Sequence, residues 1–198
     1  MKILFVNAKY TGDINAGSKL LPYLKKQKFR KIALYTSVQF VHGLKALITE
    51  LESQGIKIVS SKPERTIAKY QILGCDVFPG NLNLNQEPDA FLYVGDGMFH
   101  PRTLLLLQKD KKQSKPVITY NPGSKEYRVL SDKDISKIWM KNKANLKRFL
   151  MADNVGVIVT IKPGQEHIHY YEKLKKAFPE KRFYLFLDNS IRFQEMEN

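Results

Sequence analysis

The stretch KIALYTSVQFVHGLKALITELESQGIKIVS, residues 31–60, decides the fold. Lys31 to Thr36 is a short apolar run rich in strand-forming residues, with the length of one buried strand. Beyond it, Leu44, Leu47, Ile48 and Leu51 recur at the three- and four-residue spacing of an amphipathic helix, which predicts a helix over Val41 to Gln54. Gly55 stands where a left-handed helix end is favoured, and Ile56 to Ser60 is a second apolar run. Strand, helix and strand in this order form a β-α-β unit, in which the two strands lie parallel.

Outward from this unit the pattern repeats. Strands are predicted at Lys2 to Asn7, Ala90 to Val94, Pro116 to Tyr120, Val155 to Ile161 and Arg182 to Leu187. Helices are predicted at Gly17 to Gln27, Arg102 to Lys109, Asp132 to Ala152 and Gln165 to Phe178. The alternation predicts an α/β fold, a parallel sheet with flanking helices on both faces. Asn121-Pro122-Gly123-Ser124 is a cluster of turn formers that ends the strand from Pro116, and the module boundary is placed there, giving domains 1–121 and 122–198.

At 198 residues and 43% hydrophobic content, the chain can build a core without disulfide or metal staples. Its apolar runs all fall short of the roughly 20 residues of a membrane-spanning helix, so no membrane association is expected. Met1 to Val6 reads as a buried strand rather than a leader, because its apolar run is short and ends in a polar turn without a small-residue cleavage site. The single cysteine excludes an intrachain disulfide and a zinc site built on paired cysteines, and it fits a reducing, cytoplasmic setting. A formal net charge of +14 favours an acidic associate such as RNA, a ribosome-associated protein or an anionic cofactor. In the long helix Lys137, Lys141, Lys143, Lys147 and Arg148 interleave with Ile138, Met140, Leu146, Phe149 and Leu150. The plain reading of that basic set is a solvated face, and the functional one is contact with phosphates or an acidic protein. No aromatic and basic motif of an RNA-recognition module occurs, which makes RNA the weakest partner.

Three loops carry residues able to do chemistry. Cys75 follows Gly74 and the apolar pair Ile72-Leu73, a sequence that turns sharply at the edge of a sheet; its thiolate suits a soft metal or an iron-sulfur cluster, although a lone cysteine is more often a small buried hydrophobe. Phe78 to Asp89, rich in turn formers, is expected to be a surface loop beside that thiol. Gly95-Asp96-Gly97 follows the strand Ala90 to Val94 at its carboxyl end, where open α/β sheets bind ligands, and His100 sits just before Pro101 at a helix start. Lys162-Pro163-Gly164-Gln165 repeats this placement after Val155 to Ile161, and two polar loops at one edge predict a shared pocket. Each loop is otherwise an ordinary strand-to-helix turn. His167 and His169 lie two apart and do not share a helix face, which argues against a metal pair; His42 is read as an exposed helix residue.

Taken jointly, Tyr35-Thr36-Ser37-Val38-Gln39-Phe40, Gln71-Ile72-Leu73-Gly74-Cys75, Phe91 through Gly95-Asp96-Gly97-Met98-Phe99-His100-Pro101, and Gly156 through Lys162-Pro163-Gly164-Gln165 resemble the diphthamide-synthesis family, 2-(3-amino-3-carboxypropyl)histidine synthase. The resemblance runs from about Lys31 to Asp188 in the family's order. It implies related α/β modules about a pseudo-threefold axis, each giving one cysteine to a [4Fe-4S] cluster. That cluster cleaves S-adenosylmethionine to a 3-amino-3-carboxypropyl radical, which adds to a histidine of translation elongation factor two. The chain is similar to the central module and the start of the third, so its second domain is expected to be partial. On this basis Cys75 matches a metal ligand, and Gln39, Gly95, Asp96, Gly97, Phe99, His100, Lys162, Gly164 and Gln165 line the expected cofactor pocket. No catalytic residue is assigned.

The departures from the family pattern are as informative. A first-module cysteine and a third cysteine have no counterpart, and Tyr70 occupies the place where a glycine usually precedes the Gln-x-Leu-Gly-Cys string, which is expected to narrow access to the thiol. One thiolate does not hold such a cluster, so the missing ligands come from a partner synthase chain, from three copies of this chain in a homo-oligomer, or from histidines. The expected function is a transferase role inside such an assembly; the alternatives are a non-catalytic binding or accessory protein that keeps the fold without a cluster, and a basic RNA-binding protein.

Overall fold

The computed structural model describes residues 8–78, 80–109, 113–162 and 166–190. The predicted strand at Lys2 to Asn7 lies outside them. The chain divides into two compact units, Met1–Lys137 and Ile138–Asn198.

In the first unit, helix α1 (Gly17–Lys26) leads into β1 (Lys31–Thr36), a 3₁₀ stretch (Val38–Gly43), α2 (Leu44–Ser53) and β2 (Lys57–Val59). After a 3₁₀ turn at Gly74–Asp76 come β3 (Ala90–Val94), α3 (Phe99–Leu106), β4 (Val117–Asn121) and β5 (Glu126–Val129). The sheet order is β2-β1-β3-β4-β5. The first four strands are parallel, with Ile32 opposite Ala90, Tyr35 opposite Tyr93, and Leu92 opposite Ile118.

Period-two alternation along these strands divides their side chains between two cores. Ile32, Leu34, Leu92, Val94, Ile118 and Tyr120 pack with Leu20 and Leu24 of α1 and Leu44, Leu47 and Leu51 of α2. Ala33, Tyr35, Phe91, Tyr93 and Val117 face the other way, toward Leu104 and Leu105 of α3, with Ile72, Leu130 and Ile135. With both faces covered, all five residues of β3 are buried.

The fourth connection departs from the sequence reading. Residues 122–125 form a hairpin turn, not a boundary: the Asn121 side-chain oxygen accepts the Gly123 amide at 2.8 Å, and Lys125 N–H donates to the Asn121 carbonyl at 2.9 Å with φ +58° at Lys125. The chain returns as antiparallel β5, with Thr119 opposite Arg128. Tyr127 stacks on Tyr23 of α1 at 4.6 Å, and Lys19 pairs with Glu126. The predicted helix at Asp132 begins instead as a 3₁₀ turn closed by a Ser131/Asp134 capping box, and the long helix α4 spans Ser136–Met151.

In the second unit, β6 (Asn154–Thr160) pairs in parallel with β7 (Arg182–Asp188), joined by α5 (Ile168–Ala177). Phe149 meets Phe178 edge-on at 5.0 Å. Lys181 Nζ closes the end of α4 by donating to the Leu150 and Ala152 carbonyls at 3.0 and 2.7 Å, a favourable place for a cation. Among the described residues of this unit only Val159 is buried. No helix among the described residues is long and apolar enough to cross a membrane.

Candidate functional site

In the first unit the connections from β1 and β3 leave in opposite directions. The chain from β1 runs through α2 to β2 on one side, and that from β3 runs through α3 to β4 on the other. The adjacent carboxyl ends of β1 and β3 therefore frame a topological switch point, the crevice where open α/β sheets place ligands.

The segment bearing the cysteine is fastened to this crevice. Thr36 N–H donates to the Tyr70 carbonyl at 2.8 Å and Ile72 N–H to the Thr36 carbonyl at 3.0 Å, so Gln71 pairs with the end of β1 as an isolated parallel bridge. At the other end of the sheet the Asp89 carboxylate accepts the Arg30 and Lys31 amides, both at 2.8 Å. These two donors hold its carboxyl below the usual carboxylate range. The Gln71 amide is buried and its oxygen accepts the Ile67 and Ala68 N–H groups at 3.0 and 3.3 Å, which makes it a loop-closing residue. Tyr70 takes φ +70°, the region that favours glycine. Its ring packs on the α1 and α2 core, with Lys69 Nζ 5.0 Å from the ring centroid.

Cys75 sits exposed on the Gly74–Asp76 turn, so it is not a buried hydrophobe. Four contacts set the turn. Asp76 is 1% exposed, and its carboxylate accepts the Arg65 amide at 2.9 Å. The Asp76 carbonyl accepts from the Asn81 side chain. Gly74 N–H donates to His100 Nδ1 at 2.8 Å, and the Arg65 guanidinium donates to Cys75 Sγ at 3.7 Å. Gly74 is closely approached: a Cβ there would lie 2.5 Å from Cε1 of the exposed Phe99 ring, which would have to shift.

The loop after β3 forms the opposite wall. Gly95 adopts φ +155°, and a Cβ on it would stand 2.9 Å from Tyr93 Cε1. Burial pushes the Tyr93 phenol up to about 12, the Asp96 carboxylate adds to this, and a hydrogen bond with Ser37 opposes it, so the phenol stays neutral. Asp96 and Gly97 are exposed, and no atom lies within 4 Å of a Cβ on Gly97. His100 is half-buried, and desolvation lowers its pKa toward the neutral imidazole that can accept at Nδ1. Gln39 is half-buried in the 3₁₀ stretch after β1, its carbonyl accepting the Tyr10 amide at 2.9 Å.

The first unit thus gathers Cys75, Gly95, Phe99 and His100 around the switch point. Lys162 belongs to the second unit, exposed after β6, with its N–H on Thr160 Oγ1 at 3.2 Å; Gly164 and Gln165 lie outside the described residues. His167 and His169 pack with Tyr170 as an aromatic cluster, the His169 and Tyr170 rings 4.1 Å apart. Among the described residues no three His, Cys, Asp or Glu side chains converge to hold a metal ion. Arg65, Asp76 and Asn81 lie outside the quoted family strings, and Ser37 and Tyr93 lie inside them without having been singled out. A cavity of about 490 Å³ lined by Phe78, Leu84, Phe91, Leu107 and Lys115 contains none of the expected site residues.

The first unit is therefore of the class of open α/β folds with a crevice at a switch point, and an exposed thiol stands on the turn beside it. The chain belongs to the family described as "Putative diphthamide synthesis protein", whose model matches residues 1–198. It is 29% identical over 178 residues to the 2-(3-amino-3-carboxypropyl)histidine synthase of Pyrococcus horikoshii, covering 87% of this chain and 48% of that protein. The synthase of Methanocaldococcus jannaschii is 27% identical over 188 residues, with coverages of 91% and 46%. The crystal structure of Dph2 from Pyrococcus horikoshii matches with a TM-score of 0.72 and 25% identity, over 92% of this chain and 51% of that one. The same protein solved with a 4Fe-4S cluster matches with a TM-score of 0.71 and 24% identity, over 93% and 52%. The chain spans about half the length of the relatives it matches.

An exposed thiol beside a guanidinium suits one thiolate ligand of such a cluster. With one cysteine, the residues of this sequence do not fit a whole cluster.

Proposed function

We propose that this chain contributes Cys75 and the β1/β3 crevice to a 3-amino-3-carboxypropyl transferase of diphthamide synthesis. The donor in this reading is S-adenosylmethionine and the acceptor a histidine of translation elongation factor two. The remaining cluster ligands come from a related synthase chain, in the reducing cytoplasm. The observation that carries the reading is the exposed thiol, held on a fully braced turn at the switch point. Exposed Asp96 and Gly97 leave polar groups free for an amine or hydroxyl of the donor.

The test is anaerobic reconstitution with iron and sulfide, alone and with any co-purifying synthase chain, read by visible and paramagnetic-resonance spectra beside Cys75→Ala. A cluster that forms only in the assembly and only with Cys75 is expected. A cluster indifferent to Cys75 would overturn the ligand role. The lone cysteine favours one other reading, a binding protein that keeps the fold; it predicts donor or partner binding with no iron under any condition.

A further inference from the structure

We propose that His100 is a positioning residue for the cysteine turn, acting through Gly74. Its purpose rests on the reading of Cys75 given above; its geometry does not.

His100 stands in the first turn of α3, a helix anchored in the core by Leu104 and Leu105. From there Nδ1 accepts the Gly74 amide at 2.8 Å, across 26 residues of sequence. That nitrogen is engaged and cannot also ligate or bind a donor. The imidazole is wedged between the Tyr93 ring, centroids 6.0 Å apart, and the Phe99 ring at 5.3 Å. Phe99 also abuts the Cα of Gly74, where a Cβ would lie 2.5 Å from its ring. The rigid helix thus grips the residue before Cys75 from two directions, by a hydrogen bond and by an aromatic edge. Arg65 and Asn81 grip the residue after it, Asp76. The direction in which the sulfur points is set by these neighbours, as orientation of a metal ligand generally is by the groups behind it.

The experiment uses His100→Phe, His100→Gln and His100→Asn in the full chain. Phenylalanine keeps the ring packing and loses the acceptor. Glutamine carries its amide to the Nε2 position, and asparagine places an oxygen near the Nδ1 position. Two readouts need no cluster: hydrogen exchange of the Gly74 amide by NMR, and the rate of Cys75 alkylation by iodoacetamide. Phe and Gln are expected to speed Gly74 exchange by roughly three- to tenfold and to change the alkylation rate, while Asn returns both to within about twofold of the parent. Unchanged Gly74 protection in both Phe and Gln, or no rescue by Asn, would overturn the proposal. A chain with the full His100 signature that never takes a cluster would retain the positioning role and lose the synthase reading. A Cys75-dependent cluster with no His100 signature would do the reverse.

Discussion

In the first unit every residue of β3 is buried, whereas in the second Ile158, Tyr184, Phe186 and Leu187 are each more than a third exposed. Both units are built from strand, helix and parallel strand, and both have strands rich in apolar residues. The difference lies in neighbours. β1 and β3 have a strand on each side and helices on both faces, while β6 and β7 have only each other among the described residues. A parallel pair with one partner apiece has too little sheet to bury both faces. Local pattern makes the element, and the surroundings decide how much of it counts toward stability.

Core truncation draws this contrast most strongly. Leu92→Ala, at a fully buried site packed from both edges, is expected to lower unfolding free energy by about 3 kcal/mol. Phe186→Ala, at a site 53% exposed, is expected to lower it by less than about 1 kcal/mol. Denaturant titration of both checks this, and equal losses would mean that the second unit is covered in solution.

A finer division lies within the site. Gly95→Ala, with positive φ and the Tyr93 ring in the way, should cost about 2 kcal/mol, and Gly97→Ala, which opens on empty space, under about 0.5 kcal/mol by thermal unfolding. Comparable losses would show that the Gly97 wall is packed.

The smallest effect concerns pH. The Asp89 carboxyl is lowered in the folded state, so its contribution is present above the ordinary carboxylate value of about 3.9 and lost as pH falls through the folded value. Asp89→Asn should therefore flatten part of the first unit's acid unfolding and leave the second unit's hydrogen exchange unchanged. A variant with unaltered acid sensitivity would remove Asp89 as a clamp.

Much of the first unit was legible in sequence because its central strands are buried. Lys31–Thr36 and Ala90–Val94 read as continuous apolar runs bounded by polar turns, and the structure gives the same limits. β5 was not legible: Glu-Tyr-Arg-Val is a half-charged edge strand held by α1, and its hairpin turn has the same residues as a linker. In the site, glycines and the thiol carried a signal because backbone approach and ligation demand those residue types. Arg65 and Asn81 carried none, because a side chain that braces a turn from 10 or 5 residues away obeys no spacing rule. The openness of the second unit was equally silent, since exposure depends on what lies alongside a strand and not on its own letters.

The left-handed backbone at Tyr70 bears on how the cysteine segment is held. A bulky residue held there stores about 1 to 2 kcal/mol, kept in place by the grip of Thr36 on its carbonyl and by its ring in the core. Opening that hydrogen bond would let Tyr70 relax to extended backbone, so the strain offsets part of what the bond contributes to closing the loop. The thiol stands on a sprung latch that the core holds shut.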